Sequence, residues 1–287
     1  MRLGYFGPEG TYTQEALLAD TDGLALQTVP LPTIYDTVMA VHDGAVDQAL
    51  VPIENSLEGS VNATLDALAM ETEDVMIVGE VVHPIRHCLI ARTELELSEI
   101  ETVVSHPQAI AQCARFIRTR LPDAEVLAGS STAEAVRTVA NHDGPWAALG
   151  NRAAAERYGC IVLRAGVEDV ADNETRFVWL ARTGARAGGP RVAAGATPAR
   201  GPWKTAIVFW GVGSEAPGWL VACLAEFAQR GVNLTRIESR PRKQGLGRYM
   251  FFVDLEGRAD DSHVAEGLAG LGAKVERLRV LGSFPAA

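Results

Sequence analysis

Glu54, Asn55 and Ser56 are residues whose types could do chemistry, because they place a carboxylate, an amide and a hydroxyl side by side. They lie in the polar run 51–62, directly after the apolar, strand-like segment 49–51. Ligands in open α/β sheets bind at such strand ends, and Pro52 predicts that the strand does not continue as a central one. The run therefore predicts a ligand-binding loop, and the alternative is an ordinary polar surface loop.

Three further strand-to-helix junctions carry small polar residues. Each would expose backbone N–H groups at a helix N-terminus, which can bind a carboxylate, although each alone is also typical of an ordinary helix cap. The spacing around Gly7 and Gly10 is not that of a dinucleotide-binding loop, so we exclude NAD binding. The candidate residues at these junctions are Thr11, Ser105, Gln108, Ser131 and Thr132.

The segment 172–177 places Thr175 and Arg176 immediately before a predicted strand. Arg176 could hold a carboxylate through two parallel N–H bonds, or it could pair with a neighbouring acidic residue. Thr175 offers a hydroxyl, or it merely begins the strand. His106 could act as an acid or base near neutral pH, although a structural cap before Pro107 is the preferred interpretation.

Charge and cysteine usage exclude several classes of protein. The 287 residues carry a formal charge of −10, which argues against nucleic acid or an anionic membrane as the main partner. The four cysteines form no CxxC pair, and the six histidines show no metal-ligand spacing. We expect neither a disulfide nor a metal site, and we expect a cytoplasmic protein because no signal segment precedes the first strand.

Strand and helix patterns alternate from residue 1 to about 183, which predicts a doubly wound α/β region. The extended apolar stretch 75–92 is too long for one ordinary strand, so we expect it to cross into a second sheet. Two lobes with a cleft between them follow. Lobe one covers about 1–80 and 164–183, lobe two covers about 81–163, and the return crossing is expected near 160–163.

Residues 184–203 are rich in Gly, Ala and Pro, which is typical of a linker. From 204 to 287 the pattern restarts as βαββαβ, the ferredoxin-like order. That fold hosts many functions, so the order alone does not assign one.

The motifs together resemble one family, the prephenate dehydratases, in that family's order. The tail resembles the regulatory ACT domain of the same family, so the resemblance covers nearly the whole chain except the linker. The segments that carry the resemblance are 7–11, 51–56, 105–109 and 173–177, with 217–218, 233–235 and 238–241 in the tail.

The resemblance implies a catalytic domain like the type II periplasmic binding proteins, with prephenate in the cleft. The implied reaction removes water and carbon dioxide from prephenate to give phenylpyruvate, without metal or cofactor. The family's essential threonine falls on Thr175, and proton delivery could involve Thr175, Glu54 or water. The implied substrate-binding positions are Thr11, Asn55, Ser56, Ser105, Gln108, Ser131, Thr132, Asn173, Arg176 and Phe177.

The ACT resemblance implies that L-phenylalanine binds between paired subunits, in a homodimer or homotetramer. Trp219 departs from the family's usual alanine, and it could fill the effector pocket, cover the ligand ring or form part of the dimer-interface core. Since no helical segment precedes the first strand, we expect no fused chorismate mutase domain. The implied effector positions are Gly218, Trp219, Leu220, Asn233, Leu234, Glu238, Ser239 and Arg240.

Two alternatives stay open on the sequence. The first is an arogenate dehydratase, which would act on the amino analogue of prephenate. The second is a non-catalytic amino-acid sensor that combines a binding cleft with an ACT module.

Overall fold

The chain folds as two α/β lobes followed by a C-terminal α/β unit. The computed structural model describes residues 1–22, 24–195, 201–211, 213 and 216–287. None of the described helices is both long and apolar enough to cross a membrane.

The first lobe is a sheet of six strands with helices on both faces. Its elements are β1 (Arg2–Phe6), α1 (Tyr12–Asp20), β2 (Gln27–Leu31), α2 (Ile34–His42), β3 (Gln48–Asn55), β4 (Gly59–Ser60), α3 (Asn62–Asp66), β5 (Val75–Pro84) and β11 (Glu174–Arg182). The strand order is β2-β1-β3-β11-β5, with β4 paired to β3. Strands β1 to β3 are parallel, and β11 runs antiparallel between β3 and β5.

The second lobe is built on a five-stranded sheet in the order β10-β6-β9-β7-β8. Its elements are β6 (Cys88–Ala91), β7 (Thr102–Ser105), α4 (Pro107–Gln112), α5 (Ala114–Arg120), β8 (Glu125–Ala128), α6 (Thr132–Ala140), β9 (Trp146–Gly150), α7 (Arg152–Tyr158) and β10 (Ile161–Ala165). The stretch 75–92 crosses between the sheets as predicted, as β5 and then β6. The return crossing predicted near 160–163 is wrong, because β10 pairs with β6 and the chain leaves this lobe only after Ala165.

The strand that contains Pro52 extends beyond the predicted end at Val51, but, as predicted, it does not continue as a central strand between β1 and β11. Strand β3 continues to Asn55, but its pairing with β1 stops at Leu50. Beyond that point β11 continues along β3, and β1 forms no ladder with Pro52 that its missing N–H would interrupt. The helix predicted over 61–70 is α3 followed by a π-helical turn, Ala67–Glu71.

The C-terminal unit has the predicted βαββαβ order. Its elements are β12 (Trp203–Trp210), α9 (Trp219–Ala228), β13 (Leu234–Pro241), β14 (Tyr249–Glu256), α10 (Ser262–Gly272) and β15 (Arg277–Pro285). The antiparallel sheet has the order β13-β14-β12-β15.

Part of the predicted linker 184–203 is packed rather than free. A short helix, α8 (Gly189–Ala193), lies against the first lobe, and Val192 in it is buried. The amide of Gly188 donates to the carbonyl of Val78 at 2.5 Å. Residues 196–200 of this segment lie outside the described residues.

The two faces of the first sheet pack against different partners. One face packs against α1, and the apolar core between them includes Leu50, Phe177 and Trp179. The other face shares one continuous apolar core with the C-terminal sheet, in which Val178 joins Phe252. Because strand side chains alternate between faces, successive residues of β11 point in turn to the α1 side of the sheet and to the C-terminal unit.

Candidate active site

A cavity of about 250 Å³ lies between the two lobes, which is enough for a small organic ligand. Both lobes and the connections between them contribute to its walls. The lining residues are Phe6, Gly7, Thr11, Tyr12, Thr13, Pro52, Asn55, Ile85, His87, His106, Gln108, Ala109, Gln112, Ser130, Ser131, Thr132, Asn173, Thr175 and Phe177.

Thr175 is presented to the cleft as a hydrogen-bond donor. Strand alternation turns Thr175 and Phe177 toward the cavity. The side-chain amide of Asn55 donates to Thr175 Oγ1 at 3.0 Å. Its carbonyl oxygen accepts from the amides of Leu57 and Glu58, both at 3.0 Å, which fixes the orientation of the amide group. Since Thr175 Oγ1 accepts from Asn55, its own proton is left to point at a ligand.

A chain of hydrogen bonds joins Asn55 to the second lobe. Asn55 also donates to Asn173 Oδ1 at 2.8 Å, and Asn173 donates to Gln112 Oε1 at 3.1 Å. Gln112 Oε1 lies 3.0 Å from His87 Nε2, and His87 Nδ1 lies 2.8 Å from the hydroxyl of Tyr12. Because both neighbours of Gln112 Oε1 must donate, His87 carries a proton on Nε2. The hydroxyl of Tyr12, which lies beside His87 Nδ1, donates to the carbonyl of Arg86 at 2.9 Å.

Burial sets the protonation of this network. His87 is 2% exposed, and burial lowers its pKa below the ordinary histidine value. Burial likewise raises the pKa of the Tyr12 hydroxyl well above its usual value. Both groups are therefore neutral at pH 7.

Two long helices of different lobes begin at the cleft. Helix α1 is capped by Thr11, whose Oγ1 accepts from the amide of Gln14 at 3.4 Å. Helix α6 is capped by Ser131, whose Oγ accepts from the amide of Glu134 at 3.0 Å. The N-terminal ends of helices carry partial positive charge, so the two lobes each offer a site for one carboxylate.

His106 caps α4, since its Nδ1 accepts from the amide of Gln108 at 3.3 Å. This agrees with the preferred interpretation of His106 as a structural cap. Both residues also line the cavity, as does Thr132 at the first position of α6.

No Asp, Glu, Lys or Arg is among the lining residues in the part of the chain that the structure describes. The positive potential that an anionic ligand needs must therefore come from helix N-termini and amide groups rather than from ionised side chains. The described lining residues therefore also include no carboxyl group that could act as a proton donor.

The predicted carboxylate clamp of Arg176 is wrong. Arg176 follows Thr175 by one position, so its side chain lies on the opposite face of the sheet. There it donates to Glu80 Oε2 at 2.6 Å and forms an ion pair with Asp254. The alternative, pairing with its neighbour in sequence Asp172 or Glu174, does not hold either, because both of its close partners come from other strands.

Glu54 does not reach the cleft either, which corrects its predicted part in proton delivery. Its carboxylate lies on the same side as Arg176, 3.7 Å from that guanidinium and 3.6 Å from Nε of Arg236. Asn55, the next residue, points the other way into the cavity.

Ser56 and Ser105 are structural and do not line the cavity. Ser56 accepts from the amide of Glu174 at 3.0 Å and lies 3.4 Å from Asn173 Oδ1, so it holds the start of β11. The hydroxyl of Ser105 is buried and donates to the carbonyl of Leu149 at 2.7 Å. Both had been predicted as ligand contacts because a polar side chain at a strand end does not reveal its direction.

In the C-terminal unit, Glu238 and Arg240 contact the first lobe. Glu238 accepts from the hydroxyl of Ser60 at 2.8 Å, and Arg240 donates twice to Asp66, at 2.9 and 3.2 Å. Ser239 lies between them on the other face of β13. The predicted effector positions in β13 are therefore divided between two faces of the strand, and their part in effector binding stays a prediction.

Trp219 packs within its own unit. Its ring centroid lies 6.2 Å from that of Phe209 and 6.0 Å from that of Phe251, and its indole N–H donates to the carbonyl of Lys274 at 3.1 Å. Gly218, just before it, has a φ of +82° that favours glycine. Leu220 and Leu234 pack against the same core, while Asn233 donates to Glu256 at 3.0 Å.

Sequence reasoning missed Tyr12, His87 and Gln112. Tyr12 is the first residue of α1, next to the predicted Thr11, so its position at a strand-to-helix junction was an available signal. His87 lies in the crossing between the lobes and Gln112 at the end of α4. Their convergence depends on how the lobes meet, which no local pattern contains.

Comparisons with known proteins cover both parts of the chain. Residues 3–185 match the family model described as prephenate dehydratase, and residues 215–272 match that of the ACT domain. The chain is 39% identical over 288 residues to a prephenate dehydratase of Amycolatopsis methanolica, covering 99% of this chain and 88% of that protein.

Solved structures are similar over the same extent. The prephenate dehydratase of Arthrobacter aurescens, in complex with L-Phe, has a TM-score of 0.86 and 38% identity, covering 99% of this chain and 90% of that one. GqqA, described as a novel type of quorum quenching acylase, has a TM-score of 0.84 and 30% identity, covering 100% of this chain and 98% of that one.

Proposed function

This chain belongs to the prephenate dehydratase family, and from that premise and the geometry of the cleft we propose how it works. It converts prephenate to phenylpyruvate, a step of phenylalanine biosynthesis, under regulation by phenylalanine through its ACT domain. One observation carries the proposal. Asn55 donates to Thr175 Oγ1, and so leaves a hydroxyl proton directed into a cleft with two helix N-termini.

The two carboxylates of prephenate bind at the two helix N-termini. Tyr12 and Thr13 of α1 and Thr132 of α6 line the cavity at the first turns of these helices. A helix N-terminus stabilises a carboxylate by roughly 0.3–1 kcal/mol at an exposed site and more where it is partly buried. Because the helices come from different lobes, a bound dicarboxylate bridges the cleft and holds it closed.

Thr175 assists departure of the ring hydroxyl. The C–O bond breaks as the ring carboxylate leaves as carbon dioxide, and the electron pair released from the carboxylate completes the aromatic ring. The departing oxygen takes up one proton and becomes water. Aromatisation drives the reaction, so the protein mainly orients the substrate and donates one hydrogen bond where negative charge develops. Thr175 is placed for that donation, and water completes the proton transfer.

The test is turnover of purified protein with prephenate near neutral pH. We expect phenylpyruvate to form at a rate proportional to protein concentration and to change when phenylalanine is added. The same assay with arogenate measures the preference between the keto and amino substrates. If no phenylpyruvate forms above the protein-free blank, the assignment of this activity is wrong.

We further propose that the chain forms a homodimer or homotetramer through its ACT domains. Strand β13 is an end strand of the sheet, and Ile237 on it is half exposed, which supports pairing with a second copy. We also propose a cytoplasmic location, which the four free cysteines support because cysteines stay reduced in that compartment. Mass measurement by light scattering tests the assembly.

A further inference from the structure

Two residues of the cleft, Asn55 and Thr175, each have a neighbour in sequence that contacts the ACT domain. Thr175 pairs with Asn55 across the two strands, and next to them Arg176 pairs with Glu54. Thr175 and Asn55 point into the cleft, whereas Arg176 and Glu54 point toward the ACT sheet. A change on the ACT side therefore acts on the peptide units that carry the cleft residues.

Arg176 is held by a buried cluster of charges. Its side chain is 11% exposed, and those of its partners Glu80 and Asp254 are 0% and 3% exposed. Glu80 is also bound by Lys204, at 2.8 Å, and by the amide of Ala287, at 2.9 Å. Asp254 lies on β14, so one of the two main anchors of Arg176 is supplied by the ACT domain.

The backbone at Arg176 lies in the middle of the first sheet, paired with β3 on one side and with β5 on the other. The pairing of β11 with β3 shifts register between Arg176 and Phe177, opposite Glu54 and Pro52. The residue left out of the ladder is Ile53, so it is β3 that bends here, beside Glu54 and Asn55. A shift of Arg176, which lies opposite Glu54 at this point, therefore moves Thr175 relative to Asn55.

We infer that Asp254 of the ACT domain is a positioning residue for the dehydration, acting through Arg176 to aim the hydroxyl of Thr175. The inference rests on the proposed function, since it concerns the same site. The loss of one buried carboxylate leaves the guanidinium with Glu80, which pulls Arg176 and its peptide unit toward β5. A displacement of about 1 Å at a catalytic group is enough to lower a rate by up to 10²-fold.

The test compares Asp254→Asn with Asp66→Asn in the full-length protein. Both substitutions remove a carboxylate that pairs with an arginine across the same domain boundary, and Asp66 pairs with Arg240. Asp66 lies on α3 and does not adjoin a residue of the cleft. We expect Asp254→Asn to lower kcat on prephenate about three- to thirtyfold relative to Asp66→Asn, with KM changed less than twofold.

A purely structural role would lower the melting temperature of both variants without this selective loss of kcat. A kcat for Asp254→Asn within threefold of that for Asp66→Asn, or a loss expressed mainly in KM, overturns the inference. Should Asp254→Asn fail to fold, Arg176→Lys takes its place, since a lysine keeps the charge but cannot bridge two carboxylates. Wild-type turnover is measured alongside, and its absence would refute the proposed function instead.

Discussion

Thr175 and Arg176 show how one position along a strand decides what a side chain does. Both belong to the same motif, yet one hydroxyl faces the cleft and the next guanidinium faces the ACT domain. Both types of side chain suit a dicarboxylate substrate, so chemistry alone does not separate them. The alternation of a strand separates them, and the partner on each face gives each residue its task.

Thr175→Ala should lower kcat by roughly 10²- to 10⁴-fold, the usual contribution of a positioned proton donor. The helix N-termini that hold the carboxylates are untouched, so prephenate should still bind with nearly unchanged affinity. Turnover and calorimetric titration at low temperature measure the two effects separately. Ser105→Ala is the control, because it removes a buried hydroxyl outside the cleft. It should reduce stability by about 1 kcal/mol and leave kcat within twofold of wild type.

His87 should make the fold less stable as pH falls below its ordinary pKa of 6.5. Burial lowers the pKa of folded His87, so the unfolded chain takes up the proton first, and each pH unit between the two values costs up to about 1.4 kcal/mol. The pKa values of the Glu80 and Asp66 carboxyls are also lowered, but these groups reduce the stability of the fold only at lower pH, below their ordinary pKa values of 4.5 and 3.8. Melting temperatures from pH 7.5 to 5.5 test this, and His87→Gln should show the smaller decline. Equal slopes in the two proteins would contradict the argument.

Helix α3 and the π-helical turn after it are held by the ACT domain. Arg240 pairs with Asp66 on α3, and Arg279 of β15 donates to the carbonyls of Leu68 at 2.6 Å and Val75 at 2.9 Å, and to that of Thr72. Carbonyls at a helix C-terminus lack partners within the helix. The ACT domain is therefore part of the support of this element and not only a regulator attached to it.

Arg279→Met should reduce the free energy of unfolding by roughly 2–4 kcal/mol, because half-buried carbonyls lose a charged donor. Arg277→Met is the matched control on the same strand, since Arg277 forms an exposed ion pair with Glu73. Exposed pairs contribute less than about 1 kcal/mol. Urea denaturation of both variants gives the comparison. Similar losses in the two would show that Arg279 does not support the turn.

The two lobes meet along α7 as well as through the hydrogen-bond chain of the cleft. Asn151 donates to Glu15 at 2.7 Å, the hydroxyl of Tyr158 donates to the carbonyl of Glu9 at 2.8 Å, and Arg157 pairs with Glu9. Gly10 lies at this contact with a φ of +86°, and a Cβ there would lie 3.2 Å from Ala154. On this side of the cleft, the backbone of the first lobe at Gly10 therefore packs closely against α7 of the second lobe.

Gly10→Ala should raise KM for prephenate about three- to tenfold, since a methyl group at the contact opposes closure by about 1 kcal/mol. Gly184→Ala controls for backbone strain, because Gly184 has a φ of +93° with open space around it. Steady-state kinetics on both variants measure the difference. If KM were the same in the two, the approach of Gly10 to α7 would have no part in closing the cleft.

The order of elements, the two lobes and the βαββαβ unit could all be read from the sequence, because alternation and turn residues are local signals. So could the cleft positions of Thr11, Asn55 and Thr175, which follow strand ends or resemble family motifs. The extension of β3 to Asn55 could not be predicted, because a strand's ladder partner on each side is a tertiary property.

Only the tertiary structure decided which partner each strand face meets. Glu54 and Arg176 have the same chemistry whether they face a substrate or a regulatory domain, and only the packing of the ACT sheet on the first lobe assigns them. His87 and Gln112 joined the site for the same reason, since residues far apart in sequence meet there. A sequence specifies which groups are present and with what period they alternate, whereas the partner that occupies each face depends on contacts between distant segments.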